Sequence, residues 1–300
     1  MSAETVKLTY ADKTYTFPIV IGTEGEKGVD ISALRRETGL VTFDNSFLNT
    51  ASCYSSITFI DGERGILRYR GYPIEEIAGK YTFIETAYLL LHGDFPTREQ
   101  RAQFSRKLNE NSLIHEDMVH FFDGFPRGAH PMHILSTMIN ALATFHPNVD
   151  LLSMKDDIDS SATRLISIVR TLAAFAYKKS IGEPMVYPRH DLSYCANFLN
   201  MMFQSPVRPY EIDQDIVDAL NLLLVLHADH EQNCSTTTVR VIGSAQVNLY
   251  ATISAGISAL SGPLHGGANQ EVMNMLRLVE SGKETVDSLL SRAKDKQDAF

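Results

Sequence analysis

Residues 246–261 read QVNLYATISAGISALS, and this stretch carries the strongest indication of the fold class. It combines apolar side chains with many Ala, Ser and Gly residues. Small side chains let two helix axes approach closely, so this composition favours a helix packed between neighbours over one that faces solvent. The stretch therefore predicts a helix inside a mainly α protein.

Helical periodicity recurs along most of the chain outside this stretch. Thr97 followed by Gln100 is typical of a capping box that opens a helix. Strand-like alternation is confined to the N-terminal part. Residues 7–20 alternate around a predicted hairpin turn at residues 11–13, and a second candidate covers residues 56–72. Further predicted helices cover residues 83–92, 131–145, 160–177, 192–203, 211–229, 271–281 and 284–296. The sequence therefore predicts a mainly α fold with a small N-terminal β element.

The composition excludes several functional classes. The chain has 300 residues, with 27 Lys and Arg against 36 Asp and Glu, a formal net charge of −9. An acidic balance argues against non-specific nucleic-acid binding, and we expect no nucleic-acid partner. The longest apolar run, residues 222–226, is far too short for a membrane span. With no signal-like N-terminus and three well-separated cysteines, we expect a cytoplasmic protein without disulfides.

The first polar cluster is HADHEQNC at residues 227–234, which follows an apolar helical pattern. His227 and His230 are three residues apart and Glu231 is four from His227, so we expect all three on one helical face. One interpretation is a solvated helix end. Another is a substrate site, in which paired imidazoles and Asn233 bind a small carboxylate. A metal site is less favoured because the spacing offers no third ligand, and we expect none.

The second cluster is GPLHGGAN at residues 262–269, which opens a predicted helix. The positive N-terminal end of that helix disfavours a charged imidazole, so we expect His265 to be neutral. A neutral imidazole can donate a hydrogen bond to a carbonyl oxygen that gains negative charge. The alternatives are a structural histidine at a Gly-rich helix start and, less favoured, a phosphate-binding loop without the usual glycine spacing.

Several segments together resemble the citrate synthase family, specifically its bacterial type. They occur in family order along the chain: TASC (50–53), ITFIDG (57–62), YRGYPI (69–74), VYPR (186–189), NFLNMMF (197–203), HADHEQN (227–233) and GPLHGGAN (262–269). The resemblance implies a transferase that condenses acetyl-CoA with oxaloacetate and hydrolyses citryl-CoA to citrate and CoA. It also implies a co-substrate, acetyl-CoA, and no permanently bound cofactor.

The resemblance also assigns roles to residues and a domain organisation. His265 matches the catalytic histidine that hydrogen-bonds the thioester carbonyl, and His230 matches one that binds oxaloacetate. Asn233 is expected to border the substrate site, and His227 is assigned no direct role. The implied organisation is an N-terminal β element over residues 1–75, a large helical domain over 76–274 and the beginning of a smaller α domain over 275–300.

The family pattern continues beyond the segments found here. It includes a further histidine in a Gly-His-Arg segment, an aspartate that abstracts the methyl proton and arginines that bind carboxylates. None of these matches a residue of the chain, so we expect the 300 residues alone to be an inactive part of a longer enzyme. The alternatives are a 2-methylcitrate synthase that uses propionyl-CoA and a non-catalytic truncated paralogue that acts as a scaffold.

The resemblance further implies self-association, as a homodimer or a hexamer. Residues 192–203 and 246–261 are the candidate interface helices. The family branch that NADH inhibits carries basic residues where this chain has Glu110, Asn111 and Ser112, and a cysteine where it has Val207. We therefore expect no inhibition by NADH.

Overall fold

The computed structural model describes residues 4–45, 47, 49–146 and 155–294. Backbone contacts divide the chain into two compact units, Met1–Ser56 and Ile57–Phe300. The predicted mainly α fold is confirmed, with short strands near the start of the chain. Among the described helices, none is both long enough and apolar enough to span a bilayer.

The first unit is built on a β-hairpin. Strands β1 (Thr5–Tyr10) and β2 (Lys13–Ile21) pair antiparallel, and β3 (Lys27–Val29) pairs with β2. Ala11 and Asp12 have φ values of 48° and 62°, the left-handed backbone that a two-residue hairpin turn requires. A short helix, α1 (Leu34–Thr38), follows. The predicted hairpin is confirmed, including the position of its turn.

The second unit begins with a small antiparallel sheet of β4 (Thr58–Asp61), β5 (Ile66–Tyr69) and β6 (Tyr72–Pro73). Buried Tyr69 joins this sheet to the helices, because its hydroxyl lies 3.2 Å from the carbonyl oxygen of Val225. This sheet lies in the same contact-defined unit as the helices, and the predicted domain boundary at residue 75 stays a prediction.

Helices form the rest of the second unit. They are α2 (Ile74–Ile77), α3 (Phe83–His92), α4 (Arg98–Glu110), α5 (Glu116–Val119), α6 (Pro131–Phe145), α7 (Lys155–Ile181), α8 (Tyr194–Phe203), α9 (Gln214–Leu226), α10 (Cys234–Gly243), α11 (Leu249–Leu260), α12 (Gly267–Glu280) and α13 (Val286–Lys294). A 3-10 turn, His120–Gly124, follows α5. The predicted boundary at residues 274–275 lies inside α12 and stays a prediction.

The sequence did not predict helix α10, and it placed the end of helix α9 wrongly. Helix α10 was not predicted, because the sequence CSTTTVRVIG is rich in β-branched residues that favour strands. Its N-cap Asn233 and its packing on α11 override that preference. The prediction that α9 extends to residue 229 is wrong, since the helix ends at Leu226.

The main core lies where α6, α7 and α11 meet. Fully buried Met138, Leu172, Phe175 and Tyr250 pack together there. On the polar side of the α6–α11 contact, the Ser136 hydroxyl is 3.0 Å from that of Ser254. The close approach predicted for residues 246–261 is therefore confirmed, with α11 packed against both α6 and α10.

The two helices predicted as oligomer interfaces both bury a face within the chain. In α8, Cys195, Ala196 and Leu199 pack against Val217 of α9. Tyr250 of α11 is likewise buried. Interfaces on these helices stay a prediction.

Gly256 of α11 sets the separation between α10 and α11, and we predict that Gly256→Ala lowers the stability. A Cβ added there would lie 2.7 Å from Cγ2 of Val239, closer than side-chain carbons approach. The clash should reduce the free energy of unfolding by about 1–3 kcal/mol, measured by urea denaturation. Gly243→Ala is the matched control, because its Cβ would lie 3.7 Å from Thr252 Cγ2. Equal stability of the two variants would contradict this packing.

Candidate functional site

The segment 227–233 is a loop between α9 and α10, not a helical face as predicted. His227 caps the end of α9, and Glu231 has a φ of 52°, outside the helical region. The Asp229 carboxylate accepts a hydrogen bond from the Glu231 amide at 3.0 Å, a local turn that competes with helix. His227, His230 and Glu231 therefore do not share one helical face.

Two contacts with the second sheet hold this loop. Glu231 Oε1 accepts a hydrogen bond of 2.7 Å from the backbone N–H of Ile60 in β4. The Tyr69 hydroxyl lies 3.5 Å from the Asp229 amide, which donates to it. Burial raises the pKa of Tyr69, so the hydroxyl remains protonated at neutral pH and can also donate to the Val225 carbonyl. The sheet thus positions the loop that carries the first motif.

The two histidines of the loop differ in their surroundings. His227 Nδ1 lies 2.8 Å from the carbonyl oxygen of Leu223, which can only accept, so Nδ1 carries the proton. His230 is exposed, and no described residue is hydrogen-bonded to its ring. Of the two, His230 has both ring nitrogens available to a ligand.

Asn233 has a structural role that the sequence interpretation did not include. Its side-chain oxygen accepts a 2.8 Å hydrogen bond from the backbone N–H of Thr236 and caps α10. Because the oxygen is engaged in the cap, the side-chain NH₂ is the group that could donate to a substrate. The substrate-binding role of Asn233 stays a prediction.

His265 lies in the turn between α11 and α12 and contacts α10. Its Nε2 is 2.8 Å from the Ser235 hydroxyl, which is also 3.0 Å from the carbonyl oxygen of Gly256. Ser235 is in the first turn of α10, two residues after Asn233, so it connects the two motifs. Sequence reasoning missed Ser235. Recognising Asn233 as an N-cap would have placed it at the start of a helix.

The Ser235 contact bears on which ring nitrogen of His265 is the hydrogen-bond donor. The hydroxyl has one proton, which it can donate either to the Gly256 carbonyl or to His265 Nε2. When it donates to the Gly256 carbonyl, the Ser235 oxygen accepts from an Nε2–H. When it donates to Nε2 instead, the bond to the Gly256 carbonyl is given up and a neutral ring carries its own proton on Nδ1. That tautomer presents an N–H donor on the ring edge opposite Ser235, as donation to a substrate carbonyl requires.

The glycines beside His265 shape the turn. A Cβ on Gly266 would lie 2.2 Å from the carbonyl oxygen of Leu260, so only glycine fits there. The Gly266 amide donates to the same oxygen at 3.1 Å. Helix α12 then begins at Gly267, which confirms the predicted position of His265 at a helix N-terminus. The turn therefore fixes His265 between the end of one helix and the start of the next.

Other reactive groups do not form a second centre in the described part of the chain. Burial raises the pKa of Cys195 to about 11, so its thiol is protonated at neutral pH and a poor nucleophile. In residues 4–45, 47, 49–146 and 155–294, no three His, Cys, Asp or Glu side chains are grouped closely enough for a metal ion.

Comparisons with known proteins agree on one family. Residues 46–299 match the family described as citrate synthase, C-terminal domain. The sequence is 47% identical over 296 residues to citrate synthase 1 of Mycobacterium tuberculosis, covering 98% of this chain and 68% of that protein. Both motifs described above lie inside the matched region.

Solved structures give the same result. The citrate synthase of Pyrobaculum aerophilum superposes with a TM-score of 0.69 at 30% identity, over 92% of this chain and 64% of that one. The enzyme of Thermoplasma acidophilum, solved as a ternary complex with carboxymethyl coenzyme A and oxaloacetate, gives 0.69 at 29% identity over 73% and 56%. The chain spans about two thirds of the length of its curated relatives.

The contact between Glu231 and Ile60 predicts a specific response to mutation. In Glu231→Ala the part-buried Ile60 N–H loses its partner, so stability should fall by about 1–3 kcal/mol in urea denaturation. Exchange of the Ile60 amide with deuterium should also accelerate. Glu63→Ala, an exposed carboxylate on the same hairpin, is the control and should change neither quantity. Unchanged exchange at Ile60 in Glu231→Ala would contradict this assignment.

Proposed function

The chain belongs to the citrate synthase family, and from this premise we propose that its protein condenses acetyl-CoA with oxaloacetate and hydrolyses citryl-CoA. The products are citrate and CoA, and the reaction opens the tricarboxylic acid cycle. The observation that carries the proposal is the Ser235–His265 hydrogen bond, because it holds the helix that follows the first family motif against the histidine of the second.

His265 is proposed to stabilise the enolate of acetyl-CoA. With Ser235 donating to Nε2, the Nδ1–H of a neutral ring donates to the thioester carbonyl oxygen. As the methyl group loses its proton, negative charge develops on that oxygen and the hydrogen bond strengthens. A donor fixed before the reaction stabilises the transition state more than the ground state. Ser235 thus acts as a positioning residue for His265.

His230 is proposed to bind oxaloacetate, with Asn233 beside it. The His230 ring is exposed and both nitrogens are available for a carboxylate or ketone oxygen. The fixed loop supports this role, since Glu231, the residue next to His230, is hydrogen-bonded to β4. The related Thermoplasma enzyme was solved with oxaloacetate and a coenzyme A derivative, which supports this pair of substrates.

The names of the relatives favour citrate synthase over 2-methylcitrate synthase and over a non-catalytic scaffold.

We further propose a homodimer or hexamer in the cytoplasm with no permanently bound cofactor. Size-exclusion chromatography with light scattering tests the oligomeric state.

The first functional test measures CoA release from acetyl-CoA with and without oxaloacetate, in the protein that carries this sequence. His265→Gln should lower kcat about 10²–10³-fold, as expected for loss of a donor to a developing oxyanion. Ser235→Ala should lower kcat by about tenfold or more while leaving the KM for oxaloacetate nearly unchanged. Assaying the 300 residues alone checks the prediction that they are inactive by themselves.

The control for Ser235→Ala is Ser244→Ala, which removes an exposed hydroxyl that donates to the Val241 carbonyl near the end of the same helix. It should retain full activity. Full activity in Ser235→Ala would refute the positioning role, and full activity in His265→Gln would refute the proposed function.

His230 is tested through substrate affinity. His230→Ala should raise the KM for oxaloacetate by about tenfold or more and change the KM for acetyl-CoA little, because one hydrogen-bonding partner of the ketoacid is lost. His227→Ala, in the same loop, is the matched control and should leave both constants within about twofold. Equal effects of the two variants would show that His230 has no specific role in binding.

A further inference from the structure

A cavity of about 270 Å³ lies among helices α4, α7, α8 and α9, and no candidate site residue lines it. The wall contains Arg101 and Ser105 of α4, Arg170 of α7 and Cys195 of α8. Sites for drug-sized ligands occupy about 300–1,000 Å³. The cavity is therefore suited to a small molecule.

Arg170 is the unusual residue in this wall. It is only 4% exposed, and among the described residues its buried Nε and Nη2 atoms have no hydrogen-bond partner. Its remaining nitrogen, Nη1, makes one long contact of 3.4 Å to the carbonyl oxygen of Tyr194. In the described part of the chain, no carboxylate pairs with its guanidinium.

A buried charge without a counter-ion is costly, because the protein interior solvates it far less than water does. The same loss of solvation lowers the pKa of Arg170. The Tyr194 ring lies 4.5 Å from the guanidinium carbon and offsets part of the cost as a cation–π contact. The ring supplies no hydrogen-bond acceptor to Nε or Nη2.

One carboxylate, Asp218, lies in the cavity wall, and a second, Glu85, lies outside it. Each is engaged by a neighbouring side chain. Asp218 accepts a 2.7 Å hydrogen bond from Gln214, and Glu85 pairs with Arg101 at 3.2 Å. These contacts leave the guanidinium of Arg170 as the positive group of the cavity without an ionic partner among the described residues.

We propose that this cavity binds a small oxyanion, a carboxylate or a phosphate, on the guanidinium of Arg170. The planar fork of arginine matches two oxygens of either group, and such charge-assisted bonds are stronger than neutral ones. The Ser105 hydroxyl and the Arg101 guanidinium on the same wall provide further donors. The site does not depend on the function proposed above.

The test is isothermal titration calorimetry and thermal unfolding of the protein with inorganic phosphate and, separately, with succinate, at constant ionic strength set by sodium chloride. At least one of the two anions should bind saturably and raise the Tm. The anion that binds shows whether the site takes a phosphate or a carboxylate. In Arg170→Met the affinity should fall at least about tenfold, because the variant keeps the aliphatic stem and loses the fork.

Two further variants make the result specific. Arg106→Met removes an exposed charge from α4 that does not line the cavity, and its affinity should stay within about twofold of the unmodified protein. Arg170→Lys keeps the charge without the fork and should weaken binding about fivefold or more, which also covers the case that Arg170→Met does not fold. The proposal is overturned if neither anion binds saturably or raises the Tm above its value in sodium chloride at the same ionic strength. It is also overturned if the Arg170 variants bind the anion with the affinity of the unmodified protein.

Discussion

The close contact between α10 and α11 is the constraint on which the proposed site depends. Gly256 lets Val239 approach the α11 backbone, and that approach brings the Gly256 carbonyl within 3.0 Å of the Ser235 hydroxyl. Ser235 in turn contacts His265. One glycine therefore links the packing of the helical core to the orientation of an imidazole, so substitutions that move α10 also move the proposed catalytic group.

The second sheet has a comparable role for the first motif. Tyr69 and the Ile60 amide fix the loop that carries His230, although both belong to a hairpin far away in sequence. The buried Tyr69 hydroxyl and the half-buried Glu231 carboxylate are each hydrogen-bonded, and together they hold the loop in one conformation. The hairpin is thus part of the helical unit, and its family motif is explained by this positioning role.

Arg170 shows a contrasting use of burial. Another buried cation of the same helix, Lys178, contacts both Glu183 and the Gln204 carbonyl. Arg170 has an aromatic ring and one long contact instead. Among the described residues of α7, Arg170 is thus a buried cation without an ionic partner. Its guanidinium is the basis for the oxyanion proposed to bind in the adjoining cavity.

The sequence by itself determined the helical class, the first hairpin and the capping box at Thr97, because these follow from residues within a few positions of one another. It also identified His230 and His265 through two motifs. Only the tertiary structure decided that α10 is a helix, that α9 ends before the motif loop and that Ser235 contacts His265. Ser235 and His265 are 30 residues apart and Glu231 and Ile60 are 171 apart, so those contacts exist only once the helices and the sheet have packed.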